Sequence, residues 1–210
     1  MTEPRVVLAA QDDTLAAAWE RAFAGVARVT VYRGSILDVP CDAVVSPANS
    51  FGLMQGGVDA VYMSRFGRLV EERLQERIRI RHHGELLVGT AEIVPTGDEV
   101  IPWLIAAPTM RVPMALDRSV NPYLAARAAL LLVLKGRMPY GDQAGHPVSD
   151  HVKTLAFPGL GTGTGGVSPD VCAWQVRAAL DGVRGGGAPM PGSHAEALEA
   201  HRRLCDSRQA

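Results

Sequence analysis

Runs of consecutive apolar residues, not alternating ones, recur along this chain: "RVVLAA" (Arg5 to Ala10), "DAVVSPAN" (Asp42 to Asn49), "PWLIAAPT" (Pro102 to Thr109) and "VKTLAFPGLG" (Val152 to Gly161). A strand that is apolar on both faces has to be covered on both. Helix-period segments stand between them. "DDTLAAAWERAFAG" carries Asp12 or Asp13 as its cap and stops at Gly25. "NPYLAARAALLLVLKG" has Asn121 as cap, Pro122 at the first helical position and Gly136 at its end. "SPDVCAWQVRAALDGVRGGG" repeats the device with Ser168, Pro169 and Gly185 onward. Strands buried on both sides and alternating with helices predict an α/β fold with a mostly parallel or mixed sheet.

Two more strands fit the same scheme: "ARVTVYRG", and "LLVGTAEIVP", which a turn at Thr96-Gly97-Asp98 joins to "PWLIAAPT". A helix is expected from Val58 to Ile80, broken near Gly67, and "GRMPYGDQAGHPVSDH" (Gly136 to His151) reads as a plain connecting loop. The composition changes at Gly185, where "GGGAPMPGS" has linker content. The expected division is a domain over residues 1–185 and, over 186–210, a Gly/Pro linker with a short helical tail, "HAEALEAHRRLC", docked or free.

A chain of 210 residues that is 47% hydrophobic can bury a substantial core. Its formal net charge of −1 argues against a dedicated nucleic-acid binder. The three cysteines, Cys41, Cys172 and Cys205, lie far apart without a C-x-x-C pair, which argues against a zinc site or a disulfide framework. No run approaches the ~18 apolar residues of a membrane span. A soluble, cytoplasmic protein is expected, without metal or cofactor.

The function signal lies in two glycine loops, each following an apolar strand and leading into a helix: "SPANSFGLMQGGVD" and "FPGLGTGTGGVSPD". Helix N-termini present free amides and a partial positive charge, so two at one sheet edge suit a diphosphate. The second loop also fits G-x-G-x-x-G through Gly161, Gly163 and Gly166, with Asp181 twenty residues on. A dinucleotide fingerprint needs its acidic residue at the end of the next strand, whereas Asp181 falls within a helix. No G-K-[ST] is present for a P-loop.

"DAVVSPANSFGLMQGGVD" resembles the first ligand loop of the macrodomain family, with Asn49 and Asp59 matching that family's paired Asn and Asp and Gly56-Gly57-Val58 its glycine run. "AFPGLGTGTGGVSPD" resembles the second, diphosphate-wrapping loop, and "PWLIAAPTMRVP" sits at the family's intervening strand. The resemblance covers roughly Val29 to Val183. It implies a three-layer α/β/α sandwich with a mixed, mostly parallel central sheet that binds ADP-ribose, free or on an ADP-ribosylated macromolecule. It implies that Asn49 meets the distal ribose and that the amides of Gly57, Val58, Gly161, Thr162, Gly163, Thr164 and Gly165 cradle the diphosphate, with Gly56 and Gly159 also in contact with ligand. Ser35, Ile36, Ala48 and Phe51 complete the implied ligand-binding set. Asp59, with Asn49, would be catalytic, orienting or activating a water to hydrolyse an ADP-ribosyl ester or ADP-ribose 1''-phosphate. The alternative is a non-catalytic reader or sensor of ADP-ribose or another NAD-derived nucleotide.

The chain departs from the family pattern at two places. "RGSI" puts Ser35 where the family often has an Asp that reads adenine, a weaker acceptor, with Asp12 or Asp13 as neighbours to share the task. "TGTGG" puts Gly165 or Gly166 where many members carry an aromatic residue, leaving Phe51 either to supply a ring or to plug the core edge. Each candidate also has a plainer role: Asn49 as the cap of its own turn, Asp59 as the cap of the helix that follows. Arg68, Arg73, Arg77, Arg79 and Arg81, interspersed with Glu71, Glu72 and Glu76, read as a solvated helix face, and His82-His83 as exposed loop. Cys41 and Cys172 read as small core residues, and Tyr123 either edges the pocket or packs beneath it.

Overall fold

A computed structural model describes residues 3–184, 187 and 190–206. Strands β1 (Arg5–Ala10), β2 (Val29–Arg33), β3 (Ala43–Ser46), β4 (Glu92–Pro95), β5 (Trp103–Ala106) and β6 (Thr154–Phe157) form one sheet in the order β2-β1-β6-β3-β5-β4. Every pairing is parallel except that of edge strand β4, which runs antiparallel to β5. The helices are α1 (Asp13–Ala22), α2 (Gly57–Phe66), α3 (Arg68–Arg81), α4 (Asn121–Lys135), the short α5 (Val148–His151), α6 (Pro169–Arg184) and α7 (His194–Cys205).

Both faces of the sheet are covered, as the unbroken apolar runs require. On one side Val6, Leu8, Val45, Ile105 and Phe157 pack with Trp19 of α1, Ala125 and Ala129 of α4, and Val176 of α6. On the other, Val7, Ala9, Val44 and Leu104 pack with Tyr62 of α2 and Val70, Leu74 and Ile78 of α3. Successive strand residues alternate between these cores, the period of two that a pleated strand imposes. The result is an α/β/α sandwich around a mixed, mostly parallel sheet.

Several local expectations hold for the reasons given. Asp12 caps α1 by accepting from Leu15 N at 2.9 Å. Ser168 accepts from Val171 N at 3.4 Å at the start of α6. The α2–α3 helix breaks at Gly67, whose φ of 75° is open to glycine at little cost. Cys41 and Cys172 are buried.

Others are corrected. Asn121 does not cap α4; its side chain donates to Thr109 O at 2.7 Å instead. The strand expected from Leu86 begins only at Glu92, because residues 87–90 close a turn through Thr90 N to Leu87 O at 3.0 Å. The stretch from Gly136 to His151 contains a 3-10 turn and α5, and Tyr140 within it stacks on Trp103. His82 is not a free loop residue: its Nε2 meets the buried Glu92 Oε2 at 3.1 Å. The expected stop at Gly185 and the boundary at 185–186 lie outside the described residues. Helix α7 is docked by its last turn, the rest of it being exposed. Among the described residues no helix is long and apolar enough to cross a membrane.

Candidate functional site

The sheet order places β6, β3 and β5 side by side and parallel, so the segments that follow them leave from one edge. Ligands of open α/β sheets bind outside those carboxyl ends. Here the two glycine loops and the segment after β5 enclose a cavity of about 550 Å³. Its lining includes Ala48, Asn49, Gly56, Gly57, Val58 and Asp59 from the first loop, and Gly159 and Gly161 through Gly165 from the second.

The first loop is fixed from beneath. Met54 is fully buried and its amide donates to Glu71 Oε1 of α3 at 2.9 Å. Asn49 organises the turn above it: Oδ1 accepts from Phe51 N at 3.0 Å and Leu53 N at 3.3 Å, while Nδ2 donates to Leu53 O at 2.8 Å. Its turn-capping role is therefore real, at a position that also lines the cavity.

Both loops leave main-chain donors unspent. Helix α2 begins at Gly57, and among the described residues the amides of Gly57, Val58 and Asp59 have no internal acceptor. The same holds for the amides of Gly161, Thr162, Gly163, Thr164 and Gly165. The second loop depends on glycine for space: a Cβ on Gly165 would stand 2.5 Å from Gly161 O. At Gly57, a φ of 56° makes any side chain costly at the turn into α2.

Among the described residues, Asp59 is the only ionisable side chain in the cavity lining. It does not cap α2, whose N-cap is Gly56. It is instead 5% exposed, with Oδ1 accepting a hydrogen bond from Ser46 Oγ at 2.6 Å. Burial pushes its carboxyl up to about 7, against the opposing effect of the Ser46 hydrogen bond. An acid poised there is part carboxylate, part carboxylic acid at neutral pH, which suits proton transfer.

The structure does not bring every candidate together. Ser35, Ile36 and Phe51 lie outside the cavity lining. The Ser35 hydroxyl accepts from Leu37 N at 3.3 Å, and Ile36 is buried in the α2–α3 core. Phe51 is half-buried beneath the Arg111 guanidinium at 5.1 Å and does not line the cavity. Neither Asp12 nor Asp13 replaces Ser35: Asp12 caps α1 and Asp13 pairs with Arg33 at 2.7 Å. Tyr123 is also absent from the lining and packs against the α4–α6 core.

Conversely, sequence reasoning missed Ser46 and the segment after β5, which contributes Thr109, Met110 and Pro113 to the cavity. Thr109 reaches the first loop by N–H and Oγ–H bonds to Pro47 O at 3.2 and 2.8 Å. Leu116 reaches the second through its N–H to Gly165 O at 2.8 Å. No glycine signature marks this stretch; its position at the end of a central strand is the signal that was available.

The sequence matches the model of the Macro domain family over residues 45–176. An uncharacterized protein of Aquifex aeolicus is 35% identical over 156 residues, 74% of this chain and 81% of that protein. One from Aeropyrum pernix is 30% identical over 75% of this chain and 72% of its own length. Among solved structures, the macrodomain of Mycobacterium tuberculosis DarG superposes with a TM-score of 0.57 at 19% identity, over 73% of this chain and 90% of that one. An Oceanobacillus iheyensis macrodomain mutant solved with ADPR gives a TM-score of 0.54 at 19% identity, over 70% and 74% of the two chains. At such identities the solved structures speak to the fold.

Proposed function

The chain belongs to the macrodomain family, and from that premise we propose that its cavity binds ADP-ribose, free or carried on a macromolecule, through the diphosphate and the distal ribose. One observation carries the reading: among the described residues, two glycine loops with unspent amides line a single cavity whose only ionisable side chain is Asp59. Main-chain amides at helix starts and in glycine turns hold a diphosphate without lysine or arginine. The solved relative containing ADPR supports the ligand class.

The catalytic part of the proposal assigns Asp59 the role of general base. Water attacks the anomeric carbon of the distal ribose as the bond to the leaving oxygen breaks. Asp59 takes the water's proton, and the freed carboxylate of an ADP-ribosyl ester departs. Ser46 holds the carboxyl in place through its hydrogen bond.

A second reading, a non-catalytic reader, is favoured by one feature: the Asn49 amide is engaged within its own loop, which leaves it less free to orient a ribose or a water for Asp59. Calorimetry with ADP-ribose, followed by turnover of auto-ADP-ribosylated protein and ADP-ribose 1''-phosphate, separates the two. Binding with turnover that disappears in Asp59→Asn establishes the hydrolase. Binding without turnover establishes the reader, and no heat at high micromolar ADP-ribose refutes both.

A further inference from the structure

Residues 107–120, between β5 and α4, tie the two glycine loops together. At one end Thr109 bonds Pro47 O, Met110 bridges to Asn49, and Arg111 O accepts from Ser50 N at 3.2 Å. At the other, Leu116 N donates to Gly165 O, and the Leu116 side chain occupies the space above Gly161 and Gly165. The spacing of the two loops therefore depends on how this strap is held.

Its far end is held from the C-terminus of the chain. Arg118 has a φ of 53°, a left-handed conformation that a non-glycine residue keeps only when its surroundings enforce it. Its own carbonyl and the next one are both gripped: Cys205 Sγ donates to Arg118 O at 3.1 Å, and Gln175 Nε2 to Ser119 O at 2.8 Å. Gln175 is fully buried on α6 and its amide is used three ways. Besides Ser119 O, Nε2 donates to Leu204 O in the last turn of α7 at 3.0 Å, and Oε1 accepts from Tyr123 N at the start of α4 at 3.0 Å. Beside it, Trp174 Nε1 donates to Arg203 O at 2.8 Å. These donors satisfy carbonyls that the end of a helix leaves open. Helix α7 is thus docked through main-chain carbonyls, with little apolar burial, and lies beyond the 45–176 family match.

We propose that Gln175 is a positioning residue for the cavity, coupling the docked C-terminal helix to the strap so that α7 sets the spacing of the two glycine loops and the affinity for the diphosphate. The affinity clause rests on the function proposed above; the coupling does not. Undocking α7 frees Arg118 to leave its left-handed conformation, loosens Leu116 over Gly165, and obliges a ligand to order the second loop itself.

The test uses the whole 210-residue chain with two variants. Gln175→Glu keeps the acceptor for Tyr123 N but removes both donors. Trp174→Phe removes only the bond to Arg203 O from a half-buried position, and stands in if the first variant does not fold. Hydrogen exchange without ligand is expected to rise at the amides of Leu116 and Ser119 together with the last turn of α7. ADP-ribose affinity is expected to fall about three- to tenfold, the cost of lost preorganisation. A purely structural tail would lower the melting temperature and leave the affinity of the folded protein unchanged. Faster exchange in α7 with no change at Leu116 overturns the coupling, and faster exchange at Leu116 with unchanged affinity overturns the role in binding. If the wild type does not bind ADP-ribose while exchange responds as stated, the coupling stands and the proposed function falls.

Discussion

Replacing Asp59 by Asn tests the electrostatics of the site through stability alone. Burial raises the Asp59 carboxyl from 3.8 to about 7, and each unit of difference between folded and unfolded states corresponds to about 1.4 kcal/mol. Below pH 3.8 the group is protonated in both states and has no differential effect. Between 3.8 and about 7 the unfolded chain gives up the proton and the folded chain keeps it, so stability falls as pH rises; above 7 both are ionised and the loss is complete. The full loss is about 4 kcal/mol, of which about 2.5 kcal/mol falls between pH 5 and pH 8. Asparagine has the same shape, accepts from Ser46 Oγ, and does not titrate. Urea unfolding of both proteins at pH 5, 6, 7 and 8 gives the difference, in which every other titrating group cancels. Asp59→Asn should gain on the wild type by about 2.5 kcal/mol across that range, or about 5–10 °C in melting temperature for a chain of this size. The slope is the observable, because the new amide's own hydrogen bonding adds only a pH-independent offset. A gap constant to within about 0.5 kcal/mol would refute the buried-acid argument.

Removing the opposing hydrogen bond in Ser46→Ala should move the Asp59 titration upward, visible as a shift of its side-chain carboxyl signal in a carbon-13 NMR pH series. Asn49→Ala deletes three loop hydrogen bonds and should cost about 2 kcal/mol in chemical denaturation, with ADP-ribose binding weakened at least tenfold in calorimetry. Gly165→Ala forces a Cβ against Gly161 O and should lose about 1–3 kcal/mol in thermal unfolding, with a matching loss of ligand affinity.

What the sequence disclosed was set by the range of the interaction involved. The strands were legible because burial on both faces writes itself into consecutive residues, as in "AVVS" and "TLAF". The glycine loops were legible because backbone close to itself or to a ligand excludes side chains. Asp59 was visible as a residue but not as a buried acid: its partner Ser46 lies on β3, and only the folded sheet edge brings the hydroxyl to 2.6 Å. The reading of it as a helix cap failed because Gly56 supplies the turn into α2 and leaves the carboxyl free to point inward. Ser35 was placed by family position and Phe51 as a substitute for a ring missing from the second loop, and a local bond to Leu37 N and the Arg111 contact engage them elsewhere. Gln175 had a signal that passed unused, a lone amide among Cys172, Val176 and Ala179 on the buried face of a helix.

The charge arrangement of the cavity accounts for how an acid and the proposed anion site can coexist. A diphosphate held by amides sits in a weak, fixed field of peptide dipoles, and a full carboxylate in the same low-dielectric space would oppose it. Burial of Asp59 relaxes that conflict, because at pH 7 the group is charged only part of the time. Ser46 limits the relaxation by favouring the carboxylate, which keeps the base that the proposed hydrolysis requires. The two effects are set by different elements, the start of α2 and the end of β3, and the parallel sheet edge is what brings them together. A neutral composition is then no obstacle to binding an anion, because the positive potential comes from oriented main chain and leaves no trace in a count of lysines and arginines.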